Sequence, residues 1–423
     1  MAATTPAPQI RMARVALFAV FGLNGMLSAV WIVHIPAVTA RTGVTPTTLG
    51  MLILLMAACA IGGMQAAGPL ADRFGSRALT ATAATLLCLA LLGPAFAVSP
   101  ATLGLALCAF GFGNGAIDVS MNAQAVHIER EYPRPIMSAF HAFFSCGGFL
   151  GSALGAATQH AHWPLHLTFL LATAFGLTTV ATATPRLLPH EAHSKTNTTD
   201  VAAAQHFPPS PIESTIGTPP RSAMSDSSDS PSASRRTGRK VLVLGLIAFA
   251  LLMAEGVAAD WSALQVKDRL GVDAGTAALA FTGFSLTMTL GRFAADRVSG
   301  RFGRVAIVRW GTLLAAMGFG LIVASGWLPL TVLGWALCGI GLSGGVPQVF
   351  TAAGNLGSTN SATDMSRVFG LGYLGLLAGP AIIGWLDKAV PLTAAMTVPL
   401  LAMLLCAWGA RAVATSPQAL VDR

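Results

Sequence analysis

Charge is scarce in this chain of 423 residues: 10% are Asp, Glu, Lys or Arg, against 54% hydrophobic. Soluble domains carry roughly a quarter of their residues as charges, so this balance excludes an ordinary soluble fold. There is no CxxC pair and no histidine at metal-ligand spacing. The six cysteines (Cys59, Cys88, Cys108, Cys146, Cys338, Cys406) all lie inside apolar stretches and read as small packing residues. No Ser/His/Asp set or phosphate-binding loop stands at usable spacing. Gly111-x-Gly113-x-Gly115 falls within an apolar run rather than after a soluble strand, so neither an enzyme nor a cofactor is expected. The net charge of +8 does not point to nucleic acid, because the basic residues sit between apolar runs instead of clustering on a solvated scaffold.

What the chain has in quantity is apolar runs of about 20 residues, the length that crosses a hydrocarbon core roughly 30 Å thick. They fall near 13–36, 47–69, 78–98, 101–124, 137–159, 164–184, 241–263, 275–295, 304–325, 328–350, 366–387 and 391–411. The first leads straight into the second and is read as a helix rather than a cleaved leader. Six spans lie on either side of a gap at 185–240 that holds Pro208-Pro209, Pro219-Pro220 and a Ser/Asp-rich stretch, a composition too polar to bury a core. The expected architecture is an all-α polytopic membrane protein: a six-helix bundle over 1–184, a disordered linker over 185–240 and a second bundle over 241–423. With the N-terminus inside, only Arg41, Lys267, Arg269 and Lys388 of the 25 Lys/Arg residues face outward. The positive-inside bias then predicts cytoplasmic termini and linker, in a plasma (inner) membrane.

The halves carry traces of duplication. Ala106-Leu107-Cys108, Gly111, Gly115 and Val119 recur in phase, at an offset of 230, as Ala336-Leu337-Cys338, Gly341, Gly345 and Val349. Arg41-x-Gly43-Val44 recurs at an offset of 228 as Arg269-x-Gly271-Val272. A repeat of six-helix halves places a solute site between them at mid-membrane.

The loop after the second span reads Gly68-Pro69-Leu70-Ala71-Asp72-Arg73-Phe74-Gly75-Ser76-Arg77 and resembles the G-x-L-x-D-R-x-G-x-R signature of the major facilitator superfamily. A looser copy, Gly291-Arg292 through Asp296-Arg297 to Arg301 and Arg304, has one more residue between glycine and aspartate. The glycine permits close helix approach, and Asp72 with Arg73 can pair with charges or a helix end on the other bundle, a contact that closes the cytoplasmic side. The fourth span's Gly113-x-Gly115-x-x-Asp118-x-x-x-Asn122 resembles a motif of fucose-permease-like sugar symporters, where an acid carries the proton. The first span shares that branch's glycine-to-proline spacing in Gly25 to Pro36, but Ile32 stands where its aspartate is expected. The resemblance implies twelve helices in two pseudo-symmetric bundles. It also implies a monomeric secondary transporter taking up a small-molecule solute, such as a sugar or sugar derivative, with protons.

Ionisable groups inside a bilayer are costly, and function is their default reading. Asp118 is the leading proton or solute residue; its structural alternative is a pair with Arg130. Glu255 lies about 21 Å along the seventh helix, and Asp260 about 28 Å along, near the outer end, where it can face Lys267 or Arg269. The 228 offset carries Ile32 onto Asp260, and the 230 offset carries Asp118 onto Gln348. His141 can titrate or donate to a hydroxyl, and Asn122 and Asn24 are weaker candidates. Gly147-x-x-x-Gly151-x-x-x-Gly155 in the fifth span reads as close packing. Drug antiporters of the superfamily typically carry G-x-x-x-G-P there; here Gly375-x-x-x-Gly379-Pro380 occurs in the eleventh span instead. Efflux of amphipathic compounds, with Trp31, Phe110 and Phe284 lining the cavity, is the alternative transport reading. A non-transporting sensor of the same fold is the alternative outside transport.

Overall fold

A computed structural model describes residues 6–189, 231–356 and 361–414. The described residues are almost entirely helical. We number the helices α1 (Pro8–Thr42), α2 (Pro46–Phe74), α3 (Ser76–Phe96), α4 (Pro100–Arg130), α5 (Met137–His160), α6 (Leu165–Arg186), α7 (Pro231–Leu270), α8 (Ala274–Phe302), α9 (Arg304–Ala324), α10 (Leu328–Gly354), α11 (Ser361–Leu386) and α12 (Leu392–Val413). Among the described residues, 11 helices are long and apolar enough to cross a membrane. The remaining one, α8, has 29 residues and falls short in apolar character, its first 18 residues carrying several glycines and threonines and a serine.

Sequence-local chemistry sets the helix ends. Thr45 accepts from the Thr48 N–H at the start of α2, and Ser99 with Thr102 forms a reciprocal capping box at the start of α4. Gly43 and Gly271 end α1 and α7 in the left-handed region, at φ 67° and 65°. At the edges of the expected linker, 185–240, Thr184–Arg186 forms a 3-10 turn and α7 begins at Pro231. Its central part, 190–230, lies outside the described residues.

The helices form two six-helix bundles. Within them α1 packs on α5 and α2 on α4, as α7 packs on α11 and α8 on α10. Glycines supply the close approaches: a Cβ at Gly147 would stand 1.9 Å from the Gly22 carbonyl oxygen, and one at Gly375 2.1 Å from that of Phe249. Without a hydrophobic drive between helices in lipid, such backbone-to-backbone contact carries the packing. Gly151 and Gly155 lie on the same α1 face, against Met26 and Val33.

The same contacts fix the register of the repeat. Gly111 packs on Met56 and Gly339 on Phe284; Gly113 packs on Leu87 and Gly341 on Ala315; Gly63 packs on Phe112 and Gly291 on Ile340. Every such pair of glycines shares the offset of 228, as do Gly75 (φ 86°) and Gly303 (φ 84°). The offset of 230 expected for α4 and α10 is therefore out of step with the geometry by two positions. Asp118 corresponds to Val346, not to Gln348. The loose copy of the signature is also out of register, because Gly291 occupies the place of Gly63 and Arg292 that of Met64. The closer counterpart of Arg73-Phe74-Gly75 is Arg301-Phe302-Gly303, and each arginine lies over its neighbouring ring, at 5.1 Å and 5.4 Å.

Candidate functional site

The two halves meet along α2 with α11 and α5 with α8. At this seam lies a cavity of about 200 Å³, lined by residues of both halves. Its polar lining is Asp118 on α4, His141 on α5, Glu255 on α7, Arg292 on α8 and Tyr373 on α11. Its apolar lining includes Phe21, Phe144, Leu252, Val346 and Phe350.

Asp118, 6% exposed, accepts a 2.7 Å hydrogen bond from the Tyr373 hydroxyl across the seam. One turn further on, Asn122 donates to Asp118 Oδ1 at 3.1 Å, and its Oδ1 stands 3.2 Å from His141 Nε2. The i,i+4 spacing of Asp118 and Asn122 puts both on one face of α4. Arg292 makes a second cross-seam link: one guanidinium nitrogen donates to Ser145 Oγ at 2.6 Å and the other to Glu255 Oε1 at 3.2 Å. Its Nε is buried without a hydrogen-bond partner.

The repeat shows how unlike the two halves have become here. Where one half has Asn122 and His141, the 228 offset places Phe350 and Phe369, stacked with ring centroids 3.6 Å apart. Ser145 corresponds to Tyr373, and Met64 to Arg292. The polar face of the cavity is assembled from non-equivalent positions.

Of the residues expected from sequence, Asp118, His141 and Glu255 line the cavity and Asn122 bridges the first two. Asn24 is buried behind the lining, with its amide 4.0 Å from the Met121 sulfur. Gln348 is fully buried and accepts from Ser299 within its own half. Asp260 is exposed towards the far end of α7, outside the cavity lining. Arg130 donates to Gly354 O and to Asn355, roughly 18 Å along α4 from Asp118, so the alternative pair of those two does not form. Trp31, Phe110 and Phe284 are buried in the bundles, not in the cavity lining. Sequence reasoning missed Arg292, Tyr373 and Ser145. Arg292 was absorbed into the loose loop motif, although the helix runs on ten residues past it to Phe302.

At the face where α1 begins and α12 ends, hydrogen bonds and an ion pair hold the two halves together. Asp72 Oδ1 accepts from the Ala362 N–H at 3.0 Å, and Oδ2 from the Thr363 N–H at 2.9 Å and its hydroxyl at 2.7 Å. Asp296 Oδ1 and Oδ2 accept from the Ser138 and Ala139 N–H groups at 2.8 and 2.7 Å. Each carboxylate thus caps the first turn of a helix in the opposite half, where free N–H groups and the helix dipole favour an anion. Gly68 makes room for this, since its Cβ would meet Ser366 Oγ at 2.5 Å. Gln65 donates to Ser366 O, and Arg304 pairs with Glu129 at 3.4 Å, both across the seam. Gly75 and Arg77 turn the chain into α3, while Arg73 and Arg297 are exposed beside the caps. Towards the opposite face, α1 and α7 pack chiefly on helices of their own halves, α5 and α11.

A pair of six-helix bundles of membrane-spanning length, held together at one face and sharing a cavity at the seam, has the architecture of a secondary transporter. The chain belongs to the Major Facilitator Superfamily, whose profile matches residues 16–254 and 243–420. It is 30% identical over 394 residues to an uncharacterized MFS-type transporter of Yersinia pestis, covering 93% of this chain and 94% of the relative. It is 29% identical over 400 residues to the membrane protein MosC of Rhizobium meliloti, covering 93% and 88%. Its fold is similar to the transporter FucP in the outward conformation, with TM-score 0.72, 16% identity and coverage of 95% and 98%. It is also similar to the human organic anion transporter MFSD10, with TM-score 0.69, 18% identity and coverage of 96% and 100%.

Proposed function

We propose that the protein takes up a small polar solute, such as a sugar or sugar derivative, together with protons, by alternating access between its two halves. The observation that carries the reading is Asp118: a buried carboxylate on a spanning helix, lining the central cavity and held by Tyr373 of the opposite half. A proton taken up there removes a charge that is costly inside a membrane, and it changes a bond that joins the halves. His141 and Asn122 orient the carboxylate and offer hydroxyl-binding groups. That a fucose:proton symporter of E. coli has a similar fold supports the same reading. The face where α1 begins and α12 ends is the cytoplasmic one on the positive-inside rule, and the protein acts as a monomer in the inner membrane.

Efflux of amphipathic compounds is the second reading, favoured by the aromatic rings of Phe21, Phe144 and Phe350 in the lining. Solute-induced alkalinisation outside energised, oriented vesicles separates the two. Uptake predicts a signal with a sugar, sugar acid or polyol that Asp118→Asn abolishes while the protein stays folded. A folded wild type that gives no signal with any of them would move efflux ahead.

A further inference from the structure

We infer that the transported solute carries a carboxylate, and that Arg292 binds it by exchanging Glu255 for the solute. The inference rests on the cavity being the solute site, as proposed above.

A guanidinium inside a spanning helix has to compensate its insertion cost, and Arg292 stands ten residues before the end of α8 at Phe302. The repeat places Met64 at the corresponding point of the other half, so the arginine is not required by the packing of this fold. It is only partly satisfied. One terminal nitrogen contacts Glu255, the other contacts the neutral Ser145, and Nε is buried without a partner. Guanidinium binds carboxylate best in a two-pronged fork of parallel N–H bonds, which the single 3.2 Å contact to Glu255 does not provide. Glu255, in turn, has a side chain 24% exposed to the cavity, so it can swing away. A solute carboxylate entering the cavity completes the fork and displaces it.

Charge balance ties this exchange to protons. The charged and titratable groups facing Arg292 across the cavity are Asp118 from α4, His141 from α5, Glu255 from α7 and Tyr373 from α11. With the solute bound, three carboxylates share one guanidinium. The anion therefore enters with protons on Asp118 or Glu255, which makes the solute's own charge part of the coupling.

Matched acid and neutral probes test the inference without reference to transport: glucuronate against glucose, and phenylacetate against 2-phenylethanol. Binding to the purified full chain is read as thermal stabilisation in detergent. At least one acid should bind about tenfold or more tightly than its neutral partner, and Arg292→Gln should remove most of that preference, in keeping with loss of a charge-assisted bond. Glu255→Gln should tighten acid binding several-fold, because it frees the guanidinium. This variant decides the matter should Arg292→Gln fail to fold. Equal binding of acid and neutral partner, no binding of either acid at millimolar concentration, or weaker acid binding in Glu255→Gln would overturn the inference. Acid preference without vesicle alkalinisation would sink proton coupling but leave Arg292's role standing; alkalinisation driven by neutral sugars alone would do the reverse. Which acid binds separates a sugar body from an aromatic one.

Discussion

Tyr373 is one of only two tyrosines in the chain, and its hydroxyl is the bond by which Asp118 reaches the other half. A neutral donor facing a buried carboxylate contributes about 1.5–3 kcal/mol, so Tyr373→Phe should slow solute uptake by about tenfold or more in a protein that still folds. Uptake kinetics in vesicles, beside thermal unfolding of the same preparation, separate loss of function from loss of structure; unchanged uptake would reduce the hydroxyl to filler. Asp118, His141 and Glu255 were legible in the sequence because an ionisable group in an apolar run stands out against its neighbours. Tyr373 and Ser145 were not, since neither is unusual in a spanning helix. Their importance comes from juxtaposition across the seam, on helices α5 and α11 that no local pattern pairs with α8 and α4.

At the scale of the helix, the spans were legible because bilayer thickness dictates their length, and among the described residues α8 is the one less apolar than the rest. The register of the repeat was not legible. Small residues are frequent in membrane helices, and an Ala-Leu-Cys triplet matched by chance two positions away from the geometric equivalence. The contacts that a glycine makes are a stronger marker than its neighbours in sequence, because they record which backbone it must admit. Gly147 and Gly148 give a controlled test. A Cβ at Gly147 runs into the Gly22 carbonyl at 1.9 Å, whereas at Gly148 its nearest neighbour is the Gly25 carbonyl at 3.8 Å. Gly147→Ala should therefore cost about 1–3 kcal/mol and lower the unfolding temperature in detergent, while Gly148→Ala leaves it nearly unchanged. Similar melting of the two variants would mean that α1 and α5 pack less closely than described.

The whole molecule is asymmetric in its chemistry and nearly symmetric in its closure. Under the 228 offset Asp296 falls on Gly68, one helical turn from Asp72. The N–H groups that each carboxylate caps are displaced by the same turn, Ser138 and Ala139 against Ala362 and Thr363. Carboxylate and helix start have shifted together, so the seal is the same device built twice, and the loose second copy of the signature is a closed gate in its own right. Capping and dipole contributions are about 1–2 kcal/mol for a partly buried carboxylate. Asp72→Ala and Asp296→Ala should each raise the population open at this face by roughly 5–30-fold. Asp72 should have the larger effect, because it accepts three hydrogen bonds where Asp296 accepts two backbone ones. The two caps share no partner, so the double variant should show about the sum of the two free energies. Distances between spin labels at this end of α2 and α11, measured without solute, read the populations directly. Full opening by either single variant would make one cap the sole latch, and no opening by the double variant would shift the seal to Arg130, Glu129 and Gln65.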